Sequence, residues 1–236
     1  MGQVLVGTSG WVYPDWAGRL YRGTPKSRWL QCYAEHFPAV EVNATFYRLP
    51  TVRAVSRWRD ETPATFRFVV KGSRYLTHMK RLTDTADGLQ RFFERVEPLG
   101  DRLDTVLWQL PPNMHLDLER LDRFLSALPS WTRHAVEFRH PSWQQSETYT
   151  LLDHHGALTV AVSGPQLPLD RTITGGAAYV RFHGLETGYL YDYTEDDLRP
   201  WAEWLRMQSS GFAFFNNDVG GHAVENARQL TRMLSV

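Results

Sequence analysis

Short apolar runs along this chain end abruptly in polar side chains. Val40-Glu41-Val42-Asn43, Phe68-Val69-Val70-Lys71, Val106-Leu107-Trp108-Gln109, Val136-Glu137-Phe138-Arg139 and Val180-Arg181-Phe182-His183 repeat the event, and Phe215-Asn216-Asn217-Asp218 gives its last instance. Eight runs have strand length: residues 3–7, 39–43, 66–71, 104–109, 134–139, 158–162, 178–183 and 211–215. Helical spacing fills most of the gaps, with apolar faces at Trp29, Leu30, Tyr33 and Phe37, at Leu89, Phe92, Phe93 and Val96, and at Leu118, Leu121, Leu125 and Leu128. A shorter helix around Tyr149, Leu151 and Leu152 stops at Gly156. Thr194 caps a helix with acids in its first turn, and Ala223, Ala227, Leu230 and Leu234 line the last one. Pro200 lies deep enough in the Thr194 helix to predict a kink or a later start. Residues 163–176 carry Gly and Pro and no helical period, which predicts a loop in place of a helix.

Strand–helix alternation with crossover-length links implies a parallel sheet, and eight strands favour closure into a single (β/α)8 TIM-type barrel spanning residues 1–236. Barrel strands are buried on both faces, and residues two apart share a face. If Val40, Val42, Phe68, Val70, Val136, Phe138, Val180 and Phe182 meet the helices, then Glu41, Asn43, Lys71, Glu137, Arg139, Arg181 and His183 point into the lumen near its carboxyl end. Gln109 and Asn216 join them at that end, where barrel enzymes keep their sites. Strand eight is ambiguous, because aromatic side chains occupy both parities before Asn216.

Composition narrows the classes. The 26 basic and 26 acidic residues cancel, which argues against docking on nucleic acid or an anionic membrane by bulk charge and leaves a local basic groove open. A single cysteine, Cys32, on an apolar helix face, rules out an internal disulfide and a Cys-cluster metal site. No signal peptide or membrane-length apolar run is visible, so the expected location is cytoplasmic and the expected partner a small-molecule substrate. Oligomeric state is not legible.

Seven ordered motifs also carry a resemblance: Thr8-Ser9-Gly10-Trp11, Glu41-Val42-Asn43-Ala44-Thr45-Phe46-Tyr47, Phe68-Val69-Val70-Lys71, Gln109-Leu110-Pro111-Pro112, Val136-Glu137-Phe138-Arg139-His140-Pro141-Ser142-Trp143, Tyr179-Val180-Arg181-Phe182-His183-Gly184 and Phe215-Asn216-Asn217-Asp218. Together they resemble the signature of the YecE-like family, domain of unknown function 72. The resemblance implies a TIM-type barrel and no reaction, since the family carries no settled activity. Its barrel is similar to those of xylose isomerases and endonuclease IV-type nucleases, at fold level only. Pro200 departs from the family's pattern.

The strand ends and these motifs nominate Glu41, Glu137 and His183 as catalytic acid/base groups. Ser9, Trp11, Asn43, Tyr47, Lys71, His78, Gln109, Arg139, Trp143, Arg181, Asn216, Asn217 and Asp218 are nominated as the substrate-binding set. Arg139 or Arg181 would orient an anionic or carbonyl group, and the substrate would be a sugar phosphate or nucleotide fragment. Gly220 and Gly221 before the last helix offer a second place for an anion, unless Asp218 caps that helix instead. No cofactor is expected. Glu41, Glu137, His183, Asp218 and His78 are metal-ligand types, but no metal spacing supports them and three cations crowd the site. Glu41 with Glu137 could also flank a glycosidic bond, with Trp11, Trp108 and Trp143 stacking on sugar rings. Ser9 and Ser142 lack a nucleophile-elbow setting. Residues 72–85 and 184–193 follow site-bearing strands and are expected to act as lids. Two alternatives stand beside the enzyme: a non-catalytic barrel whose lumen charges neutralise one another, and a metal-dependent phosphodiesterase or nuclease similar to endonuclease IV-type barrels.

Overall fold

The computed structural model describes residues 3–165, 167 and 169–235. Nine parallel strands form one sheet: β1 (Val4–Ser9), β2 (Ala39–Val42), β3 (Arg67–Lys71), β4 (Leu103–Gln109), β5 (Arg133–Glu137), β6 (Leu158–Thr159), β7 (Ala161–Ser163), β8 (Ala178–Phe182) and β9 (Gly211–Phe215). Their order, β6-β5-β4-β3-β2-β1-β9-β8-β7, begins and ends on two pieces of one chain segment. Leu158 and Thr159 pair with β5, whereas Ala161, Val162 and Ser163 pair with β8. The expected sixth strand therefore breaks at Val160 and joins the two edges. Nine strands occupy eight positions of a nearly closed TIM-like α/β barrel.

Helix α1 (Trp29–His36) precedes β2, and the single turn α2 (Ala44–Tyr47) follows it at the carboxyl end; α1 wraps the outside together with α3 (Val52–Asp60), α4 (Ala86–Val96), α5 (Leu118–Ser126), α6 (Ser146–His154), α7 (Glu195–Arg206) and α8 (His222–Leu234). Helix α3 escapes the apolar pattern because Val55 is its one buried residue; Thr51 starts it by accepting from Ala54 N. Pro200 does not break α7. A capping box at Thr194 and Asp197 fixes the start, and the proline removes one hydrogen bond on an exposed face where water can serve the freed carbonyl. No helix occupies the described part of residues 163–176, as the Gly and Pro content predicts; Gln166 and Pro168 of that loop lie outside the described residues. No helix among the described residues is long and apolar enough to cross a membrane.

Two cores follow from the strand parity. Val40, Val42, Phe68, Val70, Val136, Phe138, Val180 and Phe182 pack with the helices. Ala39, Val69, Leu107, Ala135, Leu158, Tyr179, Phe212 and Phe214 fill the lumen. Strand β9 thereby resolves, with Phe212 and Phe214 inward and Ala213 and Phe215 outward. The ladders stop earlier than the apolar runs suggest. Glu41, Glu137 and Arg181 are inside their strands, whereas Asn43, Arg139 and His183 sit one or two residues beyond the last ladder residue. That offset divides the polar side chains into two layers.

Candidate functional site

The deeper layer is a closed ionic set. Arg181 is fully buried and holds Glu41 in a two-pronged fork, Nε to Oε2 at 2.8 Å and Nη2 to Oε1 at 2.6 Å. Its remaining nitrogen, Nη1, donates to Glu137 Oε2 at 2.5 Å. Ser9 Oγ donates to Glu41 Oε1 at 2.6 Å and Tyr179 OH donates to Glu41 Oε2 at 2.5 Å. Four donors on two oxygens leave Glu41 no free lone-pair direction toward a substrate. Burial alone would raise the Glu137 carboxyl, but Arg139 and Arg181 outweigh it and hold the group well below the usual carboxylate range. Arg139 Nη2 contacts Glu137 Oε1 directly; that oxygen has no conventional hydrogen bond, and the ion pair is what satisfies it. Both glutamates are 0 % exposed, so neither is a reachable acid or base in this arrangement.

The outer layer is the mouth. A cavity of about 340 Å³ is lined by Phe46, Tyr47, Lys71, Arg74, His78, Gln109, Arg139, His183, Tyr189 and Asn216. Among the described residues no carboxylate lines it. His183 joins the layers: Nε2 lies 3.0 Å from Arg139 Nη2 and 3.4 Å from Arg181 Nη1, so that nitrogen holds a lone pair. Burial and then the Arg181 charge push the imidazole well below its ordinary range, and it stays neutral. The Asn216 amide group sits 3.1 Å from Nδ1, and Asn43 Nδ2 donates to Asn216 Oδ1 at 3.4 Å.

Lys71 is the exception to the pairing. Its Nζ stands 4.3 Å from the Phe46 ring centroid, and among the described residues no carboxylate oxygen comes within 4.0 Å of it. Glu41 and Glu137 already balance Arg181 and Arg139, so a proton on Lys71 adds an uncompensated buried charge. Burial first, then the Arg181 guanidinium, pushes the ammonium down to about 7 against the pull of Glu137 and Glu41. The backbone that delivers Lys71 is fixed on both sides. Thr45 Oγ1 donates to its carbonyl at 2.6 Å, and a Cβ on the next residue, Gly72, would lie 2.2 Å from the buried Trp108 ring. Beyond it a single π turn, Tyr75–Met79, aims His78 at the cavity, with Thr77 Oγ1 2.8 Å from its Nδ1. Positive φ at Arg81, Leu82 and Asp84 marks the rest of this loop as strained.

The structure thus gathers Ser9, Glu41, Asn43, Tyr47, Lys71, His78, Gln109, Glu137, Arg139, Arg181, His183 and Asn216 at one barrel end. Four other nominees stand apart. Trp143 is fully buried, stacked on Phe138 and tied through Nε1 to Met114 O at 2.7 Å, so neither it nor the equally buried Trp108 can stack on a ligand. Trp11 does not line the mouth but an adjoining cleft of about 510 Å³ that it shares with Ser9, Asn43 and Trp58, whose ring it meets edge-on. Asn217 is 0 % exposed and serves the backbone, donating to Tyr191 O and Asn226 Oδ1. Asp218 neither lines the mouth nor caps α8, whose N-cap is Gly221. Burial pushes its carboxyl up to about 7; the Trp16 indole eases this in part without a well-formed hydrogen bond, since Asp218 Oδ1 and Trp16 Nε1 both remain unpartnered. The expected anion place before α8 is taken by a carboxylate, Gly220 N donating to Asp15 Oδ2 at 3.3 Å. Among the described residues no three His, Cys, Asp or Glu side chains are gathered to hold a metal ion.

Parity could have found Tyr179, which shares a face with Arg181. Phe46, Arg74 and Tyr189 come from short turns without periodicity and carry no such signal. Residues 72–85 and 184–193 flank the mouth as expected, contributing Arg74 and His78 from one and Tyr189 from the other.

Fold and site define a TIM-like barrel with a charge-paired floor and a cationic mouth at the carboxyl ends of its strands. The chain belongs to the family described as protein of unknown function DUF72, whose model matches residues 5–236. It is similar to YunF of Bacillus subtilis, 27% identical over 99% of this chain and 95% of that protein. It is also similar to YecE of Escherichia coli K12, 36% identical over 59% of this chain and half of that protein. Among solved structures, a DUF72 family protein of Thermotoga maritima superposes with a TM-score of 0.89 at 33% identity, covering 99% of this chain and all of that one. One from Enterococcus faecalis gives 0.86 at 22% identity, covering 99% and 96% respectively, and supports the fold alone.

Proposed function

We propose that this barrel is an enzyme for a small anionic substrate, such as a sugar phosphate or nucleotide fragment, bound at the mouth and turned over by acid/base chemistry. The observation that carries the reading is the lining itself. Lys71, Arg74 and Arg139 face about 340 Å³ with no carboxylate among the lining residues. Among the described residues Lys71 and Arg74 make no ion pair and Arg139 is paired with Glu137 through Nη2 alone, and cations so placed at a partly buried surface favour a phosphate or carboxylate from solution. Arg139 Nε is buried without a partner, and Gln109 and Asn216 add neutral hydrogen-bonding groups. Tyr47 and Tyr189 offer ring faces at the rim.

Proton transfer falls to Lys71 and not to the sealed glutamates. Glu41 and Glu137 fix Arg181 and set the field at Lys71, while His183 positions Arg139. Lys71 lines the cavity and is balanced between its two protonation states near neutral pH. The loops over residues 72–85 and 184–193 close over the ligand, and hydrogen exchange should slow in both when it binds.

Calorimetry with matched pairs tests the proposal: glucose 6-phosphate against glucose, a nucleoside monophosphate against its nucleoside. The phosphorylated member should bind about tenfold or more tightly, with affinity falling as salt rises. Equal binding of both members of every pair would overturn the anion site. Tight binding with no turnover in any assay of the bound metabolite would leave a non-catalytic receptor.

A further inference from the structure

We infer that Lys71 is a carbonyl-capturing nucleophile, forming an imine with an aldehyde or ketone group of the anionic ligand that the mouth admits. The inference rests on the anion-binding reading and adds a substrate class to it, phosphorylated carbonyl compounds.

Three observations carry it. First, geometry separates Lys71 from every other base in the layer. It ends strand β3, its Nζ lies over the Phe46 ring rather than against a carboxylate, and it lines the cavity. An amine used only to hold charge would sit beside Glu41 or Glu137, and Arg181 occupies both. Second, the buried charges sum to zero before Lys71 is counted, which favours the free amine, the form that attacks carbonyl carbon. Its depressed affinity for a proton agrees with this arrangement. Third, the chain holds three lysines, Lys26, Lys71 and Lys80, against twenty-three arginines. Arginine meets nearly every need for a fixed cation here, and a guanidinium cannot perform this step.

The Nζ lone pair attacks the carbonyl carbon, giving a carbinolamine. The carbonyl oxygen then leaves as water with the two amine hydrogens, and a C=N bond remains. Arg74 and Arg139, which share the cavity, are placed to hold the ligand's phosphate while the carbonyl end meets Lys71. The imine draws electrons from the neighbouring carbon, so bond cleavage or proton loss there is the chemistry it serves.

Borohydride trapping tests the idea on the full chain. The purified protein is incubated at pH 7 with glyceraldehyde 3-phosphate, with neutral glyceraldehyde, or with carbonyl-free glycerol 3-phosphate, then reduced and mapped by peptide mass. Hydride addition freezes the imine as a secondary amine carrying the ligand mass less one oxygen atom. The expected result is an adduct on Lys71 at about ten times or more the level on Lys26 and Lys80, given the larger share of free amine at Lys71. It should be absent from Lys71→Arg and Lys71→Met, two variants that guard against misfolding in one of them. An adduct no more abundant on Lys71 than on Lys26 and Lys80, with either aldehyde, overturns the inference. Separately, binding of glycerol 3-phosphate by calorimetry reports the anion site. Lys71 labelled equally by both aldehydes, without glycerol 3-phosphate binding, would keep the nucleophile and sink the anion reading. Glycerol 3-phosphate binding without a Lys71 adduct would do the reverse.

Discussion

The floor and the mouth of this site are built from the same strand ends, two residues apart, and they obey opposite rules. In the floor every charge meets its opposite at hydrogen-bonding distance: Arg181 with Glu41 and Glu137, and Glu41 further with Ser9 and Tyr179. In the mouth, among the described residues, Lys71 has no anion within 4.0 Å, Arg74 faces solvent, and Arg139 keeps a buried Nε without a partner. Desolvation explains the difference. A charge sealed from water must be matched within the protein, whereas one beside a cavity can leave part of its match to a ligand. Charged side chains at a barrel mouth are therefore not equally good candidates for chemistry. The ones with the strongest pairs hold the frame, and the poorly paired one is free to react.

The largest expected effect tests the floor. Arg181→Met leaves the buried Glu41 without a cation and Glu137 with Arg139 alone, and should cost about 5 kcal/mol or more. For a chain of this size that lowers Tm by roughly 10–20 °C, read by calorimetry or circular dichroism. A variant melting within a few degrees of the parent would mean that the floor is not a structural unit.

Next comes Glu137→Gln, which keeps shape but unpairs Arg139 and part of Arg181. A loss of about 3 kcal/mol is expected in urea unfolding. The dependence on pH has a definite sign. Because the folded Glu137 lies below its ordinary value, its contribution is present above about pH 4.5, the unfolded value, and fades as pH falls below that. Unchanged stability in this variant, combined with lost turnover, would return the acid/base role to the glutamate.

Lys71→Met should behave in the opposite way, raising stability at pH 7 by roughly 1–3 kcal/mol, because it removes the cost of burying an uncompensated ammonium. Folded Lys71 loses its proton near pH 7 and unfolded Lys71 near 10.5. Between those values the unfolded chain binds the extra proton, so wild-type stability rises with pH, by up to about 1.4 kcal/mol per unit. The penalty for burying the charged lysine is complete below pH 7. Urea midpoints at pH 7, 8 and 9 should climb in wild type relative to Lys71→Met, and parallel profiles would place the lysine's titration elsewhere.

The smallest effect belongs to Arg74→Ala. Its side chain is exposed, so stability should stay within about 0.5 kcal/mol. Phosphate-bearing ligands should nevertheless bind several-fold more weakly, by calorimetry at low salt. Equal affinity in the variant would narrow the anion site to Lys71 and Arg139.

Alternation along the strands was enough to place Glu41, Lys71, Glu137, Arg181 and His183 on the lumen side, because a strand buried on both faces has one residue-by-residue parity. It also made the barrel legible, since each apolar run carries its own length and its own polar end. Helix α3 was not legible, because a single buried residue leaves no periodic face. The break at Val160 was hidden too, as both halves of that strand are equally apolar.

Sequence alone determined which strand-end side chains point into the barrel, for that follows from local geometry repeated at each strand. It could not determine which charges pair, because pairing joins residues more than a hundred positions apart, such as Glu41 with Arg181. Nor could it separate Trp11, Trp143, Asn217 and Asp218 from the site, since a motif records neighbours in the chain and not the direction of a side chain. Only the tertiary structure decided that two glutamates satisfy two arginines and leave one lysine over. That outcome depends on the sum of charges within one small volume, and closure of the barrel is what defines the volume.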